Sequence, residues 1–202
     1  MTPTRYPDRL RELVEPGERV LGVAQAELAN GVRPKEPRDA PQPPRTPVSG
    51  GLRYRVLGGL LSVLSPAVVF EAGDRLVDRV VYGVAGRGAR GSAASWLVHR
   101  HWLAGHGPGL RETLVAVTDR RLLICRTGRV ALFSRRGHDA ELAGMEIVWS
   151  ASRGEVAGAR VGWHRLNPKR LRIDFTDGSW VALTVPIAES GAPLRAIAAA
   201  LR

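Results

Sequence analysis

The residue types that most often carry out catalysis or bind metals are few in this chain, and their spacing builds no complete site. His99 and His106 are seven residues apart and could share a helix face, but a zinc site needs a third and a fourth ligand. The single cysteine, Cys125, lies in an apolar stretch and is expected to be a small buried side chain. Residues 83–91 are rich in glycine but lack the Gly-Lys-Ser/Thr ending of a phosphate-binding loop, and no Gly-x-Ser-x-Gly sequence occurs. We therefore expect no enzymatic activity, no metal and no cofactor.

Arginine dominates the charged residues. Of 202 residues, 30 are Lys or Arg and 19 are Asp or Glu, which gives a formal net charge of +11, and only Lys35 and Lys169 are lysine. The planar guanidinium group binds phosphate and carboxylate better than an ammonium group does. GC-rich coding would also produce a chain rich in Ala, Gly, Arg and Val, so the ratio of arginine to lysine does not by itself identify a partner. The excess of positive charge favours solubility and predicts affinity for nucleic acid or for an anionic membrane surface.

This positive charge is concentrated in two stretches. Residues 87–136 contain ten arginines and two acidic residues, and residues 160–172 contain five basic residues and no acidic one. A membrane-surface site combines such bases with exposed apolar groups. The candidates for binding an anionic surface are Arg87, Arg90, Arg100, Arg126, Arg129, Arg135 and Arg136, with Phe70, Trp96 and Trp102 as candidates for apolar contact. The alternative is that the apolar side chains pack against one another while the arginines are simply solvated.

Two other classes of partner fit the same features. Nucleic acid would use the same bases, but no helix-turn-helix, zinc-finger or RNP-type pattern occurs, and only three Phe and three Tyr are available for base stacking. Trp149, Trp163 and Trp180 are expected in the core or on the surface of a sheet. A protein partner would instead bind the helices predicted between residues 52 and 110. Nucleic acid is the least favoured of these partners.

The beginning of the chain predicts a helix, a strand and a linker. Residues 7–14 have apolar positions at helical spacing, Pro16-Gly17 is a turn dipeptide, and the short apolar run 20–28 is typical of a strand. No apolar core follows the arginines of the first 13 residues, so no secretory signal is expected. Residues 31–51 are predicted to be an extended linker because they contain prolines at positions 34, 37, 41, 43, 44 and 47.

Residues 52–110 are predicted to form a helical insertion. Apolar side chains recur on one face of residues 71–84, and a second helix is predicted over residues 92–104, with Ser92 or Ser95 as its cap. The longest apolar run, 56–70, is shorter than the roughly 20 residues that span a membrane, and it is interrupted by glycine and proline.

From residue 111 the pattern changes to strands. Short apolar or β-branched runs predict strands over 113–118, 121–126, 130–134, 146–150 and 156–163. The clearest pair is 171–176 and 179–185, because Asp177-Gly178 between two alternating runs is the strongest short-range signal of a hairpin. Ser190 and Pro193 predict the start of a closing helix. One early strand, about six later ones and a closing helix predict an α+β fold with an antiparallel sheet closed into a small barrel or roll.

Several of these segments resemble bacterial pleckstrin-homology-like domains, which are close to GRAM-type domains. Residues 114–124, Leu-Val-Ala-Val-Thr-Asp-Arg-Arg-Leu-Leu-Ile, are similar to the second and third strands of those domains, which show Thr-Asp-x-Arg-Leu between two apolar strands. Residues 15–21 resemble their Gly-Glu-x-Val step into the first strand. Residues 153–159 resemble the step into a middle strand, and residues 174–185 resemble the final hairpin.

The resemblance covers roughly half of the chain and implies a division into three parts. Residues 15–30 and 111–202 would form the barrel with its C-terminal helix, residues 31–51 the linker, and residues 52–110 the helical insertion. Pleckstrin-homology barrels commonly hold anionic lipid headgroups with the loop between their first two strands. That loop is replaced here by the linker and the insertion, so the usual headgroup pocket is not expected.

Together these features predict a non-enzymatic binding or scaffold module of the bacterial cytoplasm. Its expected partner is an anionic lipid surface at the inner membrane face or another protein. The alternatives are a nucleic-acid-binding protein that uses its arginine-rich surface, and an adaptor that binds proteins through the helical insertion.

Overall fold

Two antiparallel sheets and three α-helices, with a further helical turn over residues 141–143, make up most of the described part of the chain. The computed structural model describes residues 5–41, 83–105, 111–129, 141–164, 167–185 and 190–202. In chain order the elements are α1 (Arg5–Leu13), β1 (Val20–Gln25), β2 (Glu27–Leu28), β3 (Gly86–Arg87), α2 (Ala93–Gly105), β4 (Thr113–Thr118), β5 (Arg121–Arg126), β6 (Glu146–Ser152), β7 (Val156–His164), β8 (Asn167–Phe175), β9 (Trp180–Thr184) and α3 (Ala192–Ala200). The predicted strand over 130–134 and most of the predicted helix over 71–84 lie outside the described residues.

The strands form two separate open sheets. The first has the order β1-β4-β5-β6, and the second has the order β2-β9-β8-β7, with β3 also paired to β9. The chain passes from one sheet to the other at Ala26, between β1 and β2, and again through the short 3₁₀ turn Arg153–Glu155, between β6 and β7. The predicted α+β class is confirmed. The predicted closed barrel is wrong for the described residues, because the sheets are joined by these turns of the chain and not by a continuous ladder of hydrogen bonds.

The early strand pairs with the later ones across a long stretch of sequence. Val20–Gln25 runs antiparallel to Thr113–Thr118, with Val23 opposite Ala116 and Gln25 opposite Leu114. The residues between β2 and β4, which we call the excursion, therefore separate in sequence two strands that are neighbours in the first sheet.

The two central strands of the first sheet, β4 and β5, are buried on both faces. Every residue of β4 is buried, because Val115 and Val117 face the main core while Leu114 and Ala116 face a second cluster. Helix α1 covers that second cluster with Tyr6 and other apolar side chains. An apolar residue at every position of a strand is what coverage of both sheet faces requires.

The second sheet is covered on one face by the main core, and its other face is polar apart from a small cluster of Ala29, Ala85, Ala182 and Trp180. In β8, Leu171, Ile173 and Phe175 point into the main core, and they alternate with Arg170, Arg172 and Asp174. Helices α2 and α3 complete this core with Ala94, Leu97, Leu194, Ile197 and Leu201.

Both hairpin and helix predictions at the C-terminus are confirmed. Asp177-Gly178 forms the turn between β8 and β9, with Gly178 at φ +78°, a left-handed conformation that favours glycine. The closing helix is capped at Gly191 and not at Ser190, whose hydroxyl accepts a hydrogen bond from the backbone N of Ala192 at 3.2 Å.

Residues 86–87 belong to the second sheet, although they lie in the range predicted as a helical insertion. Gly86 and Arg87 pair with Val181 and Trp180 of β9. Just before them, the chain meets the segment that follows β2, where the backbone N of Val32 donates to the Gly83 carbonyl at 2.9 Å. Within the excursion, the stretch between Val32 and Gly83 therefore begins and ends at the same edge of the second sheet.

A buried ion pair joins the start of β1 to the turn between β4 and β5. The side chain of Glu18 is fully buried, and its carboxylate accepts hydrogen bonds from Arg121 Nε at 2.9 Å, Arg121 Nη2 at 2.8 Å and Thr118 Oγ1 at 2.6 Å. The two parallel bonds from one guanidinium make this a strong, charge-assisted contact. The bonds from Arg121 outweigh the opposing effect of burial and lower the pKa of Glu18 to about 2.

Neighbouring residues lock the same turn. Thr118 Oγ1 accepts from the backbone N of Arg121 at 2.9 Å, and Asp119 accepts from the backbone N of Arg19 at 3.0 Å, which lowers the pKa of Asp119. Gly17, at φ +80°, turns the chain just before Glu18. The two short sequences that carry the family resemblance, residues 15–21 and the Thr-Asp-x-Arg-Leu stretch, are thus two sides of one contact.

Replacing Glu18 with Gln should lower the free energy of unfolding by about 2 kcal/mol at neutral pH, because Arg121 loses a charged partner in a largely buried site. The folded pKa of Glu18, about 2, lies below the ordinary value of 4.5, so its contribution is complete above pH 4.5 and is lost as the pH falls towards 2. The stability difference between wild type and Glu18→Gln, measured by chemical denaturation, should therefore shrink over that range. The exposed Glu36→Gln is the control, and a Glu18→Gln difference that does not change with pH would contradict the assignment.

Candidate functional site

Helix α2 and the chain leading into it carry five of the sequence-predicted candidates, of which Trp102 lies near the end of the helix. Arg87 ends β3, Arg90 precedes the helix, and Trp96 and Arg100 lie about one turn apart on α2. The three arginines are exposed. The guanidinium carbon of Arg100 lies 5.7 Å from the centroid of the half-buried Trp96 ring, which is a cation–π distance. We call Arg90, Trp96 and Arg100 the α2 ridge.

Two depressions adjoin the α2 ridge. One, of about 440 Å³, is lined by Gly91, Ala93, Trp96, Arg100, Trp149, Ser150, Glu155 and Asp177. The other, of about 400 Å³, is lined by Pro37, Arg38, Asp39, Arg90, Gly91 and Trp96. Their charged lining residues are three arginines and three carboxylates, so these depressions carry no excess of positive charge.

The first turn of α2 is already capped by the β8–β9 turn. Asp177 Oδ2 accepts from the backbone N of Ala93 at 2.8 Å, and Ser179 Oγ accepts from the backbone N of Ala94 at 3.2 Å. The predicted cap Ser92 also contributes, accepting from Ser95 N at 3.3 Å. Burial would raise the pKa of Asp177, but hydrogen bonds from Ser179 and Ala93 outweigh it and lower that pKa. These N–H groups therefore have acceptors within the protein and do not form an open anion site.

Arg126 is turned into the protein. Its Nη1 donates to the Arg111 carbonyl at 3.2 Å and its Nη2 to the His101 carbonyl at 3.3 Å, while its Nε is buried with no hydrogen-bond partner. Burial lowers the pKa of Arg126. Burial also lowers the pKa of His101 to about 3, and its Nε2 lies 2.9 Å from Thr113 Oγ1. Arg126 and a neutral His101 thus tie the end of α2 to the first sheet.

The remaining candidates are not gathered at the α2 ridge. Arg129 is exposed beyond the end of β5. Trp102 is 38% exposed near the end of α2, with its ring centroid 5.8 Å from that of His99. Phe70, Arg135 and Arg136 lie outside the described residues.

The polar face of the second sheet carries a group of bases that was not among the predicted candidates except for Arg87. Strand pairing places Arg160 opposite Arg172, and places Arg87 and Asp174 on either side of Trp180. We call Arg87, Arg160, Arg170, Arg172 and Trp180 the basic sheet face. Its two outermost strands supply the exposed members, Arg87 and Arg160.

Cation–π contacts hold the centre of the basic sheet face together. The guanidinium carbon of Arg172 lies 4.1 Å from the Trp180 ring centroid, and that of the buried Arg170 lies at 5.8 Å. Arg172 Nε also donates to Asp174 at 2.7 Å, and Arg170 donates to the Val84 carbonyl. Asp174 is the acidic residue among the rows of β7, β8 and β9, and the exposed Glu27 of β2 stands at the edge of this face, opposite Thr184 in the row of Arg170.

The sequence shows how many bases residues 160–172 contain, but not where they meet. The available signal was the alternation of Arg170 and Arg172 with Leu171 and Ile173, which assigns those arginines to the outer face. The pairing of Arg160 with Arg172 depends on the hairpin register and could not be read from either strand alone. Trp163, expected in the core or on a sheet surface, is 74% exposed.

The described ranges offer neither a metal site nor a membrane-spanning helix. They contain no group of three or more His, Cys, Asp or Glu side chains arranged to hold a metal ion. None of the helices described has the length and apolar character needed to span a membrane.

Replacing Asp177 with Ala should weaken the attachment of α2 by about 1 kcal/mol, the usual cost of removing a helix cap. Ala93 N and Ser179 N both lose an acceptor. Amide hydrogen exchange should become faster in α2, relative to β4. Asp39→Ala, at an exposed carboxylate lining the other depression, should leave exchange unchanged, and equal effects of the two variants would contradict the capping role.

Comparison with known proteins finds no matching family model, no matching curated protein and no matching solved structure.

Proposed function

We propose that this protein is a non-enzymatic binding module of the pleckstrin-homology-like type that associates peripherally with anionic membrane surfaces through the basic sheet face. The observation that carries the proposal is the register of the second sheet, which gathers four arginines and Trp180 on one face, with Asp174 among them and Glu27 at the β2 edge. A bacterial inner membrane, with anionic lipid at its cytoplasmic face, is the surface that such a face fits.

Three features support the pleckstrin-homology-like type. A four-stranded sheet is followed by a second sheet built from the last three long strands, and a C-terminal helix packs between them through Leu194 and Ile197. The early strand pairs with β4 across the excursion. The Glu18–Arg121 contact uses the residues that carry the resemblance.

Binding at an outer surface is favoured over binding in a pocket between the sheets. Ala94 and Leu97 of α2 fill part of the main core, and the β8–β9 turn caps the helix. Helix α2 comes from the long connection between the first two long strands, which is the loop that holds headgroups in pleckstrin-homology barrels. The space next to that loop is thus occupied by the chain itself, whereas the basic sheet face has no helix packed over it among the described residues.

The basic sheet face suits a lipid surface better than nucleic acid. A protein that binds single-stranded nucleic acid offers free aromatic rings for base stacking. Here the ring of Trp180 is already stacked by Arg172 at 4.1 Å. What is left exposed is positive charge on a sheet, and such charge attracts anionic headgroups with about 1 kcal/mol per residue near the surface.

Co-sedimentation with vesicles of equimolar phosphatidylglycerol and phosphatidylcholine tests this proposal. Wild type should sediment with these vesicles at low salt, should be released as salt rises, and should not sediment with pure phosphatidylcholine. Arg87→Glu/Arg160→Glu should weaken the partition by at least about tenfold, since two surface charges are reversed.

Two further pairs carry the same change of charge at other places. Arg195→Glu/Arg202→Glu alters exposed residues of α3 and the C-terminus and should bind nearly as wild type does. Arg90→Glu/Arg100→Glu alters the α2 ridge. If Arg90→Glu/Arg100→Glu abolishes binding and the double variant of the basic sheet face does not, the α2 ridge is the binding surface and the proposal is overturned. Binding of a DNA or RNA oligonucleotide without any binding to vesicles would overturn it in favour of a nucleic-acid partner.

A further inference from the structure

The hairpin of β7 and β8 extends beyond the rest of the second sheet. The β7–β8 ladder continues to the pair His164 and Asn167, whereas the β8–β9 ladder ends at the pair Arg170 and Thr184. The last residues of this hairpin therefore have no β9 neighbour. On the β8 side Lys169 lies next to Gly191 at the start of α3, whereas on the β7 side Trp163 is exposed.

Trp163 lies near the tip of this projection. It is 74% exposed, and it is the most exposed of the five tryptophans. Gly162 beside it has open space where a side chain would be, with no atom within 4 Å of the point that a Cβ would occupy. The Trp163 indole therefore offers a large apolar surface to another molecule or to a membrane.

The charge around the tip indicates the kind of partner. Arg160, three residues before Trp163, is exposed, Lys169 follows on β8, and the sequence has no acidic residue between positions 160 and 172. A tryptophan between bases matches the boundary of an anionic bilayer, where indole rings sit at headgroup level and arginine and lysine contact phosphate. A protein partner or a second copy of this basic chain would have to supply a strongly acidic and apolar surface, and the second copy carries the same positive charge.

We propose that the end of strand β7 is a membrane anchor, in which the Trp163 indole enters the boundary between headgroups and acyl chains of an anionic bilayer. This inference rests on the proposed function, because Arg160 belongs both to the hairpin and to the basic sheet face. The basic sheet face supplies electrostatic attraction, and the indole supplies insertion.

The depth of the tip can be measured with an environment-sensitive fluorophore on a single cysteine. Cys125 is fully buried, and burial raises its pKa to about 12, so its thiol does not react at neutral pH. Trp163→Cys places the fluorophore at the tip, and Ala196→Cys, at an exposed position of α3, is the control. Vesicles of equimolar phosphatidylglycerol and phosphatidylcholine should shift the emission of the label at 163 to shorter wavelength and leave the label at 196 unchanged.

The affinity is measured with Trp163→Ala and Trp163→Phe in co-sedimentation. Trp163→Ala should bind the anionic vesicles about tenfold more weakly than wild type, and Trp163→Phe should recover most of the loss, because the ring and not a specific hydrogen bond is required. Both variants should melt like wild type, since the side chain is exposed.

The outcomes separate this inference from the proposed function. If wild type does not bind the vesicles at all, the proposed function fails, and the anchor fails with it. If wild type binds, but the label at 163 stays in water and Trp163→Ala binds as tightly, only the anchor is overturned. A blue shift of the label at 163 that needs no vesicles and grows with protein concentration would assign the tip to contacts between copies of the chain, and would also overturn the anchor.

Discussion

The contact between Glu18 and Arg121 is the interaction on which the rest of the structure depends. It fixes the start of β1 against the turn that joins β4 to β5, although Glu18 and Thr118 are 100 residues apart in sequence. A buried carboxylate is costly without partners, so a shifted register of β1 would leave either Glu18 or Arg121 uncompensated. The contact thus penalises the alternatives to the observed pairing, in addition to stabilising the pairing itself.

The two sheets differ in what covers them, and this difference determines which of them can present the surface proposed to bind anionic membranes. Tyr6 and Leu10 of α1 cover the outer face of the first sheet, while the corresponding face of the second sheet carries arginines. Solvation of those guanidinium groups and their stacking on Trp180 take the place of a packed helix. The first sheet therefore serves the stability of the fold, and the second sheet presents the charged surface.

The parts of the fold that could be predicted are those specified by neighbours in sequence. The Asp177-Gly178 hairpin, the strands β4 and β5 and the closing helix have local turn chemistry or local periodicity that suffices to identify them. The two-residue strand β3 has neither, because Gly86 and Arg87 become a strand only through the free edge of β9. The closed barrel was expected from the number of strands, but closure depends on hydrogen bonds between distant edges, which no local pattern reports.

In the candidate site, too, some features are specified by neighbours in sequence and others only by distant contacts. That Trp96 and Arg100 come together follows from helical spacing on α2. The direction of Arg126 does not follow from its sequence position at the end of a strand, since it is set by carbonyl groups of Arg111 and His101. The exposure of Trp163 depends on how far the pairing of β7 with β8 continues beyond the last residue of β9. The length of one strand relative to another is a property of the assembled sheet.

The edge where Val32 meets Gly83 has a consequence for how this fold can change over evolutionary time. Because the stretch between Val32 and Gly83 begins and ends at hydrogen-bonded backbone positions, its length has little influence on strand register. Doubling such a connection costs only about 0.6 kcal/mol in loop-closure entropy. Whole segments can be gained, lost or exchanged between Val32 and Gly83. Related chains are therefore expected to differ most in this stretch while keeping the same pair of sheets.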